Sequence, residues 1–229
     1  MKILAIDSCS CVATGAILDG DTLTAEFVLN NDKTHSVKLL PQIENMMKAA
    51  DIEFSQIDVF AVTNGPGSFT GQRIGMATAK ALAHGCNKPV RTVSSLMSMA
   101  YNVPFFDGII CPIMDARREQ VYNALYRWDN GKLITLADDR ALALADLLEE
   151  LKDKKTVFLG DGVKPFYEKI KSALGDNAFI PPPHLIHLRG GSVAKCALDN
   201  GVDITYGEAV PKYLRPSQAE REYNDRNGK

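Results

Sequence analysis

Two segments decide the fold of this chain: Ile3-Leu4-Ala5-Ile6-Asp7 near its start and Ile109-Ile110-Cys111-Pro112-Ile113-Met114-Asp115 near its middle. Each is an apolar run typical of a buried strand, and each ends in an aspartate before a polar turn. The same patterns follow both segments in the same order: two more strands joined by a hairpin turn, a helix, a strand that enters a glycine-rich turn, and another helix. The sequence therefore predicts an α/β protein with two β-β-β-α-β-α halves in tandem.

The periodicity of the apolar residues places these elements along the chain. In the first half it predicts strands at 2–8, 12–18, 22–29, 58–63 and 90–93, and helices at 34–50 (kinked at Pro41), at 71–84 and around Leu96. In the second half it predicts strands at 109–115, 121–128 and 156–159, a further strand after the turn at 129–132, and helices at 142–151 and 164–174. The predicted domains are 1–106 and 107–216. They are followed by a polar tail at 217–229 that is too poor in apolar residues to fold alone.

The composition excludes several classes of protein. Of the 229 residues, 45% are hydrophobic, which is enough to bury a large core without a disulfide or a cofactor. The 26 basic and 28 acidic residues nearly cancel, which argues against an autonomous nucleic-acid binder, so another subunit is expected to hold any RNA. Five cysteines without a C-x-x-C pair favour a reducing compartment. Because Asp7 interrupts the first apolar run and no run reaches membrane-spanning length, we expect a cytoplasmic protein without a membrane partner.

A glycine-rich run joins the strand at 58–63 to the following helix: Gly65-Pro66-Gly67-Ser68-Phe69-Thr70-Gly71-Gln72-Arg73-Ile74-Gly75. Unpaired N–H groups at a helix N-terminus attract anions, and glycines allow a ligand to approach closely. The run lacks the Lys-[Ser/Thr] pair that completes a phosphate-binding P-loop. It is therefore either an anion site or a device that positions the helix.

Four separated motifs carry a resemblance to known proteins: the opening Ile3–Asp7 strand, the glycine run, the stretch 114–122 (Met-Asp-Ala-Arg-Arg-Glu-Gln-Val-Tyr) and the late Pro211-Lys212-Tyr213-Leu214-Arg215. The tandem halves resemble the actin, heat-shock chaperone and sugar-kinase (ASKHA) superfamily, in which two ribonuclease-H-like lobes face a nucleotide cleft. Together and in this order, the four motifs resemble the TsaB family, also known as YeaZ, over residues 1–215.

That resemblance implies a non-catalytic partner of the paralogue TsaD in a bacterial tRNA-modifying complex. TsaD transfers threonylcarbamoyl from threonylcarbamoyl-adenylate to N6 of the adenosine after the anticodon, in tRNAs reading codons that begin with A. The ATPase TsaE joins the complex, and tRNA is reached indirectly through it. The resemblance implies no independent active site in this chain. An exposed apolar stripe on its helices would allow a homodimer when the chain is alone.

The residues agree with a chain that holds no metal. TsaD-type proteins bind a metal through two histidines at i and i+4, a spacing that puts both imidazoles on one helix face. Ser95 and Met99 stand at the corresponding positions here. His-x-x-His at 184–187 follows three prolines and is a weak ligand signal. We therefore expect no metal site, and ATP, ADP or Mg²⁺ only in the assembled complex.

Nucleotide contacts are weakly indicated. The hairpin at 116–119, Ala-Arg-Arg-Glu, is bulky where active relatives carry glycines that admit phosphates. The residues with a candidate role in nucleotide or anion contact are Asp7, Gly65, Gly67, Gly160 and Gly162. For each of them an ordinary structural role, as a strand-end carboxylate or in a tight turn, is at least as good an explanation.

Partner binding is the better-supported role. Gly71, Gly75, Ala79 and Ala83 form a stripe of small residues that lets another helix approach closely. In the first helix, Val37, Leu40, Ile43 and Met47 can face the core, which leaves Leu39, Met46 and Ala50 on an adjacent, exposed face. The predicted partner-binding residues are Leu39, Ile43, Met46, Gly71, Arg73, Ile74, Gly75 and Ala79. The alternative is that both helices pack only on their own sheet.

Two other functions stay open from the sequence. The duplicated architecture and Asp7 also suit an ATP-dependent small-molecule kinase, although Arg117 and Arg118 oppose it. A metallopeptidase is suggested because TsaD-like proteins were long labelled glycoproteases, but it requires metal ligands that are missing from the expected positions.

Overall fold

The computed structural model describes residues 1–31 and 35–215. The predicted tail at 217–229 and the predicted helix start near Thr34 lie outside these residues. The first lobe contains β1 (Lys2–Asp7), β2 (Ala13–Asp19), β3 (Thr22–Leu29), α1 (His35–Ala49), β4 (Val59–Thr63), α2 (Phe69–Cys86), β5 (Val90–Val93) and α3 (Ser95–Ala100). The remaining elements are β6 (Ile109–Asp115), β7 (Gln120–Asp129), β8 (Lys132–Ala143), α4 (Leu144–Glu150), β9 (Thr156–Leu159), α5 (Val163–Leu174), β10 (Ala178–Phe179), α6 (Pro183–Ile186) and α7 (Gly190–Asn200).

The two halves form two sheets of the same topology. The first has the order β3-β2-β1-β4-β5, and the second repeats it as β8-β7-β6-β9-β10. In each sheet the first three strands along the chain are antiparallel neighbours. The fourth strand pairs in parallel with the first, and the fifth pairs in parallel with the fourth. The prediction of an α/β protein with two ribonuclease-H-like lobes is confirmed.

Alternating side chains on the central strands build three cores. Ile3 and Ala5 of β1 face a central core between the sheets, whereas Leu4 and Ile6 face an outer core under α1 and α2. In the second lobe, Cys111 and Ile113 of β6 face an equivalent outer core under α4 and α5. The molecule is therefore layered as helices, sheet, helices, sheet, helices.

The central layer links the lobes. α3 packs against β6 and β7 of the second sheet, and α7 packs against β1, β2 and β3 of the first. Their apolar residues, Leu96, Met99, Val193 and Ala197 among them, are fully buried. β10, α6 and α7 were not predicted from the sequence. Because α7 covers the first sheet although it follows the second, the division into 1–106 and 107–216 stays a prediction. None of the described helices is long and apolar enough to cross a membrane.

The stripe of small residues on α2 packs inside the first lobe. Ala79 and Ala83 are fully buried in the outer core, and Gly71 and Gly75 lie against the turn after β1. A Cβ at Gly71 would collide with the carbonyl oxygen of Ser8, and a Cβ at Gly75 would lie 2.8 Å from the Ser8 Oγ. This packing matches the alternative that α2 packs on its own sheet, and partner binding by the stripe stays a prediction.

The predicted faces of α1 are partly wrong: Ile43 and Met47 are buried as expected, but the exposure of the other residues is reversed. Leu39 and Met46 were expected on an exposed face, but they are 1% and 7% exposed and pack in the outer core with Ile43. Val37 and Leu40 were expected in the core, but they are 65% and 41% exposed. The buried face is formed by residues 39, 43, 46 and 47, with residue 50 half-buried, so it takes members from both helical repeats. Of the other predicted partner residues, Arg73 is exposed and Ile74 is half-buried.

Two glycines of α2 provide a matched test of this packing. We expect Gly71→Ala to lower the free energy of unfolding by about 1–3 kcal/mol or more, because the new methyl group overpacks the Ser8 carbonyl. Gly85→Ala lies in the same helix with open space around it, and should raise the free energy by about 0.5–1 kcal/mol. Urea denaturation of both variants measures the difference. Equal effects would contradict the close contact at Gly71.

Candidate functional site

The four sequence motifs meet at the cleft between the lobes. The first hairpin (residues 8–12) follows β1, and the glycine loop (residues 64–71) joins β4 to α2. The second hairpin (residues 116–119) follows β6 in the second lobe. The strap (residues 203–215) runs from the first lobe to the second hairpin and contains Pro211–Arg215. Motifs far apart in sequence thus form one surface.

The glycine loop closes over the first hairpin. The Ser68 N–H donates to the Cys9 carbonyl at 2.7 Å, and the Ser8 hydroxyl donates to the Gly71 carbonyl at 2.8 Å. Inside the loop, the Ser68 hydroxyl caps α2 by accepting from the Gly71 N–H at 3.2 Å. The Gly67 Cα lies so close to the Cys9 carbonyl that a Cβ has no space. The protein's own groups therefore use the N–H groups of Ser68 and Gly71.

Asp7 and Gly65 serve local structure in the same region. The fully buried Asp7 carboxylate accepts from the Cys9 N–H at 3.0 Å and from the Thr63 hydroxyl. The Gly65 carbonyl accepts from the Ser95 N–H at 2.9 Å. These contacts match the structural alternative for both residues. A nucleotide or anion role for them stays a prediction.

The turn at Gly160-Asp161-Gly162 connects the two lobes. The Gly160 N–H donates to the Ile186 carbonyl at 2.7 Å, and the Gly162 N–H donates to the Ile113 carbonyl at 3.1 Å. Both glycine N–H groups are therefore hydrogen-bonded within the fold. Between them, the Asp161 carboxylate accepts from the backbone N–H of Asp115 at 3.3 Å and from that of Cys11. Burial raises the pKa of Asp161, although these N–H donors lower it. The sequence indicated the turn but gave no signal for this bridging carboxylate.

Two cavities share the residues at this bridge. A cleft of 460 Å³ lies between the two hairpins and is lined by Ser10, Gly67, Asp115 and Arg117, among others. A second cavity of 620 Å³ extends toward α5 and α6, with Lys164, Tyr167, Ile180 and His187 in its walls. Cys11, Asp161 and Pro165 line both.

A cysteine and a histidine meet in the larger cavity. Cys11 Sγ lies 3.7 Å from His187 Nδ1, a pairing that in other settings activates a thiol as a nucleophile. Here partial burial, with a smaller contribution from the negative charge of Asp161, raises the pKa of Cys11 to about 12. Burial also lowers the pKa of His187. At neutral pH the pair is a neutral thiol and a neutral imidazole, which does not form an activated thiolate.

Ser95 and Met99, which the family resemblance places at the metal-binding histidine positions of TsaD-type proteins, make packing contacts here. Ser95 is fully buried and its hydroxyl donates to the Pro66 carbonyl. Met99 is also fully buried, and its sulfur lies against Gly160. Across residues 1–31 and 35–215, no group of three or more His, Cys, Asp or Glu side chains is arranged to hold a metal ion.

The second hairpin presents two arginines to solvent. Arg117, Arg118 and Glu119 all adopt left-handed backbone conformations, with φ of 67°, 55° and 59°. Such a run is costly for residues other than glycine and is kept where the surroundings impose it. The Arg117 N–H donates to Asp115 at 2.7 Å, and Arg215 Nη1 donates to the Ala116 carbonyl at 3.0 Å. The end of the strap thus fixes this hairpin.

The strap follows α2 along its whole length. Near its start, Tyr206 packs on His84, with ring centroids 4.4 Å apart. Further on, Lys80 Nζ donates to the Ala209 carbonyl at 3.0 Å. At the N-terminus of α2, Arg73 Nε donates to the Tyr213 hydroxyl at 2.9 Å. The sequence marked Pro211–Arg215 as a motif but gave no indication that it lies beside α2.

A buried carboxylate anchors the middle of the strap. Asp139 on β8, with a side chain 6% exposed, accepts from the Ser94 hydroxyl at 2.9 Å and from the Tyr126 hydroxyl at 3.3 Å. Lys212 Nζ lies 3.9 Å from its second oxygen. Burial raises the pKa of Asp139 above its ordinary value, and the hydroxyls and the lysine oppose that shift only in part.

The raised pKa of Asp139 gives a prediction with a definite sign. The folded state favours the neutral carboxyl, so this group's contribution to stability is present below its unfolded pKa of about 3.9 and is lost as the pH rises through the folded value. Asp139→Asn keeps an acceptor for Ser94 and Tyr126. We expect this variant to be more stable than the parent at pH 7, with the advantage shrinking toward pH 3. Asp107→Asn, which changes an exposed carboxylate outside the helices and strands, is the control, and thermal unfolding across pH is the measurement.

The Cys11 thiol should react slowly despite its surface position. With a pKa of about 12, little thiolate exists at pH 8, so iodoacetamide should modify Cys11 more slowly than the half-buried Cys86. Asp161→Asn removes the negative charge and should accelerate modification of Cys11. Peptide mass spectrometry over time gives both rates. Rapid labelling of Cys11 at pH 8 in the parent would overturn this account of the pair.

Comparison with known proteins identifies relatives along almost the whole chain. A family model described as "TsaD: tRNA N6-adenosine threonylcarbamoyltransferase" matches residues 22–222. The tRNA threonylcarbamoyladenosine biosynthesis protein TsaB of Bacillus subtilis is 37% identical over 97% of this chain and 98% of its own length. The Escherichia coli protein of the same name is 32% identical over 66% of this chain and 65% of its own length.

Solved structures share the fold. YeaZ from Pseudomonas aeruginosa superposes with a TM-score of 0.76 over 93% of this chain and 99% of that one, at 23% identity. The ethanolamine utilization protein EutJ from Carboxydothermus hydrogenoformans gives a TM-score of 0.53 over 86% of this chain and 90% of that one, at 12% identity. At these identities the similarity concerns the two-lobed architecture.

Proposed function

Because this chain belongs to the TsaB family, we propose that it is the non-catalytic subunit that binds and activates TsaD in tRNA threonylcarbamoyladenosine biosynthesis. In this proposal TsaD transfers threonylcarbamoyl from threonylcarbamoyl-adenylate to N6 of the adenosine after the anticodon, in tRNAs reading codons that begin with A. TsaE supplies ATPase activity, so ATP and Mg²⁺ act in the assembled complex. A role in this biosynthesis follows from the family, and the division of labour is our proposal.

The observation that supports the proposal is that the side chains around the cleft do not suit a catalytic site. Ser95 and Met99 stand where TsaD-type proteins have metal-binding histidines, and both are buried in contacts with the glycine loop and with Gly160. In the second hairpin, the exposed Arg117, Arg118 and Glu119 stand where a kinase of this superfamily carries glycines that admit phosphates. A chain arranged in this way is better suited to support a catalytic paralogue than to perform the transfer itself.

The exposed sides of α1 and α2 are the proposed docking face. On α1, Val37 and Leu40 are apolar and 65% and 41% exposed. On α2, Ala77 and Ala81 are exposed and lie one helical turn apart. Around the helix they lie between the flank that faces the strap, with Arg73 and Lys80, and the half-buried Ile74. Apolar and small side chains on adjacent helices suit close packing against a second pair of helices. Without TsaD, the same face can pair two copies of this chain.

Reconstitution tests the function directly. With TsaD, TsaE, ATP, unmodified tRNA and threonylcarbamoyl-adenylate present, we expect modification only when this chain is included. This chain with tRNA and the adenylate, but without TsaD, should give none. Mass spectrometry of tRNA nucleosides is the measurement. Full modification without this chain, or modification by this chain without TsaD, would contradict the proposal.

A single substitution tests the docking face. Leu40→Arg places a charge on the proposed interface and should weaken TsaD binding by about ten-fold or more, because the guanidinium would be buried without a partner. Leu136→Arg is the matched control, since Leu136 on β8 of the other lobe is 46% exposed. Isothermal titration calorimetry measures both affinities. Unchanged TsaD binding by Leu40→Arg, or an equal loss of affinity in the control, would show that the exposed side of α1 is not the interface.

A further inference from the structure

A strip of positive charge lies where the strap meets α2 and the second hairpin. We define the basic strip as five cationic residues: Arg73, Arg117, Arg118, Lys212 and Arg215. Arg73 is tied to the strap through the Tyr213 hydroxyl, and Arg215 reaches the Ala116 carbonyl beside the two hairpin arginines. The strip thus joins cations that are distant in sequence, although the chain as a whole has a net charge of −2.

Few of these charges are neutralised. Arg117 lies 3.5 Å from an Asp115 oxygen, and Lys212 lies 3.9 Å from an oxygen of the buried Asp139. Within the described part of the chain, no carboxylate lies within 4.0 Å of the other three guanidinium groups. The Arg117 side chain is 86% exposed, and Arg118 is exposed beside it. The strip therefore keeps an excess of positive charge available for a ligand.

Aromatic rings lie within the strip. Phe69 and Tyr213 stack with centroids 4.6 Å apart, and the Arg73 guanidinium lies 4.0 Å above the Phe69 ring. Tyr213 remains 40% exposed. Proteins hold single-stranded nucleic acid by combining two features. Cationic side chains contact the phosphate backbone, and an accessible aromatic ring beside them stacks on a base. Four of the five cations are arginines, whose planar forks match phosphate oxygens.

We propose that the basic strip binds the phosphodiester backbone of RNA directly. The hairpin arginines and Arg215 contact phosphates, and the exposed Tyr213 ring receives a base. The identification of that RNA as tRNA rests on the proposed function, whereas the strip itself does not. An acidic protein surface could also use the cations, but it would leave the stacked aromatic pair without a role. The chain thus contributes to RNA binding as well as to activation of TsaD.

The test uses the full-length chain in complex with TsaD and a fluorescently labelled, unmodified tRNA transcript. Arg117→Gln combined with Arg118→Gln removes two charges from the strip. We expect the affinity at low salt to fall by about ten-fold or more, as for the loss of charge-assisted hydrogen bonds. The slope of log affinity against log salt should fall by about 2, one for each lost phosphate contact. Fluorescence anisotropy over a range of salt concentrations measures both.

A control pair removes the same charge elsewhere. Arg127→Gln with Lys132→Gln changes two exposed cations on the β7–β8 hairpin and should leave both the affinity and the slope unchanged. Equal loss in the control, or parental affinity in the strip variant, overturns the inference. If the strip variant no longer associates with TsaD on size-exclusion chromatography but retains its affinity for tRNA, the strip binds an acidic protein surface. That outcome also overturns the inference. If the parent binds tRNA through the strip but does not bind TsaD, the proposed function fails and this inference stands.

Discussion

The contact between Gly71 and Ser8 constrains the rest of the first lobe. The Ser8 carbonyl occupies the space of a Cβ at the start of α2, and the Ser8 hydroxyl donates back to the Gly71 carbonyl. Together with the hydrogen bond from the Ser68 N–H to the Cys9 carbonyl, this contact fixes both the distance of α2 from the sheet and its rotation about its own axis. Rotation of the helix decides which side chains are buried. Ala79 and Ala83 then lie in the core, and Ala77 and Ala81 face outward.

The position of the strap depends on the same rotation. His84, Lys80 and Arg73 point along one flank of α2, where they meet Tyr206, Ala209 and Tyr213 in turn. From there the strap reaches the second lobe through the bonds of Arg215 and Lys212. The Asp161 bridge and the α7 packing add further links. Opening the cleft would break these links together, so the lobes are held as one unit rather than as a hinged clamp.

The architecture could be predicted from the sequence because it rests on local patterns. Each strand of the repeat is a short apolar run bounded by turns, and the first five strands lie within a residue or two of their predicted positions. The orientation of α1 could not be predicted in the same way. The series 37, 40, 43, 47 and the series 39, 43, 46, 50 are both regular helical stripes that share Ile43. Packing against the sheet buries residues 39, 43, 46 and 47 and leaves 37 and 40 exposed, and that information lies outside the helix.

The contacts of Ser95 and Met99 in the cleft could not be predicted from the sequence either, because they depend on loops that are distant along the chain. The resemblance to TsaD-type proteins placed Ser95 and Met99 at the positions of metal-binding histidines, and the fold shows what these two side chains do instead. The Ser95 hydroxyl holds the Pro66 carbonyl, and Met99 fills the space beside Gly160, so both positions support the turns around the cleft. A histidine at either position would have to displace a fully buried group. Two histidine substitutions alone therefore would not create a metal site, because contacts within the fold already fill both positions.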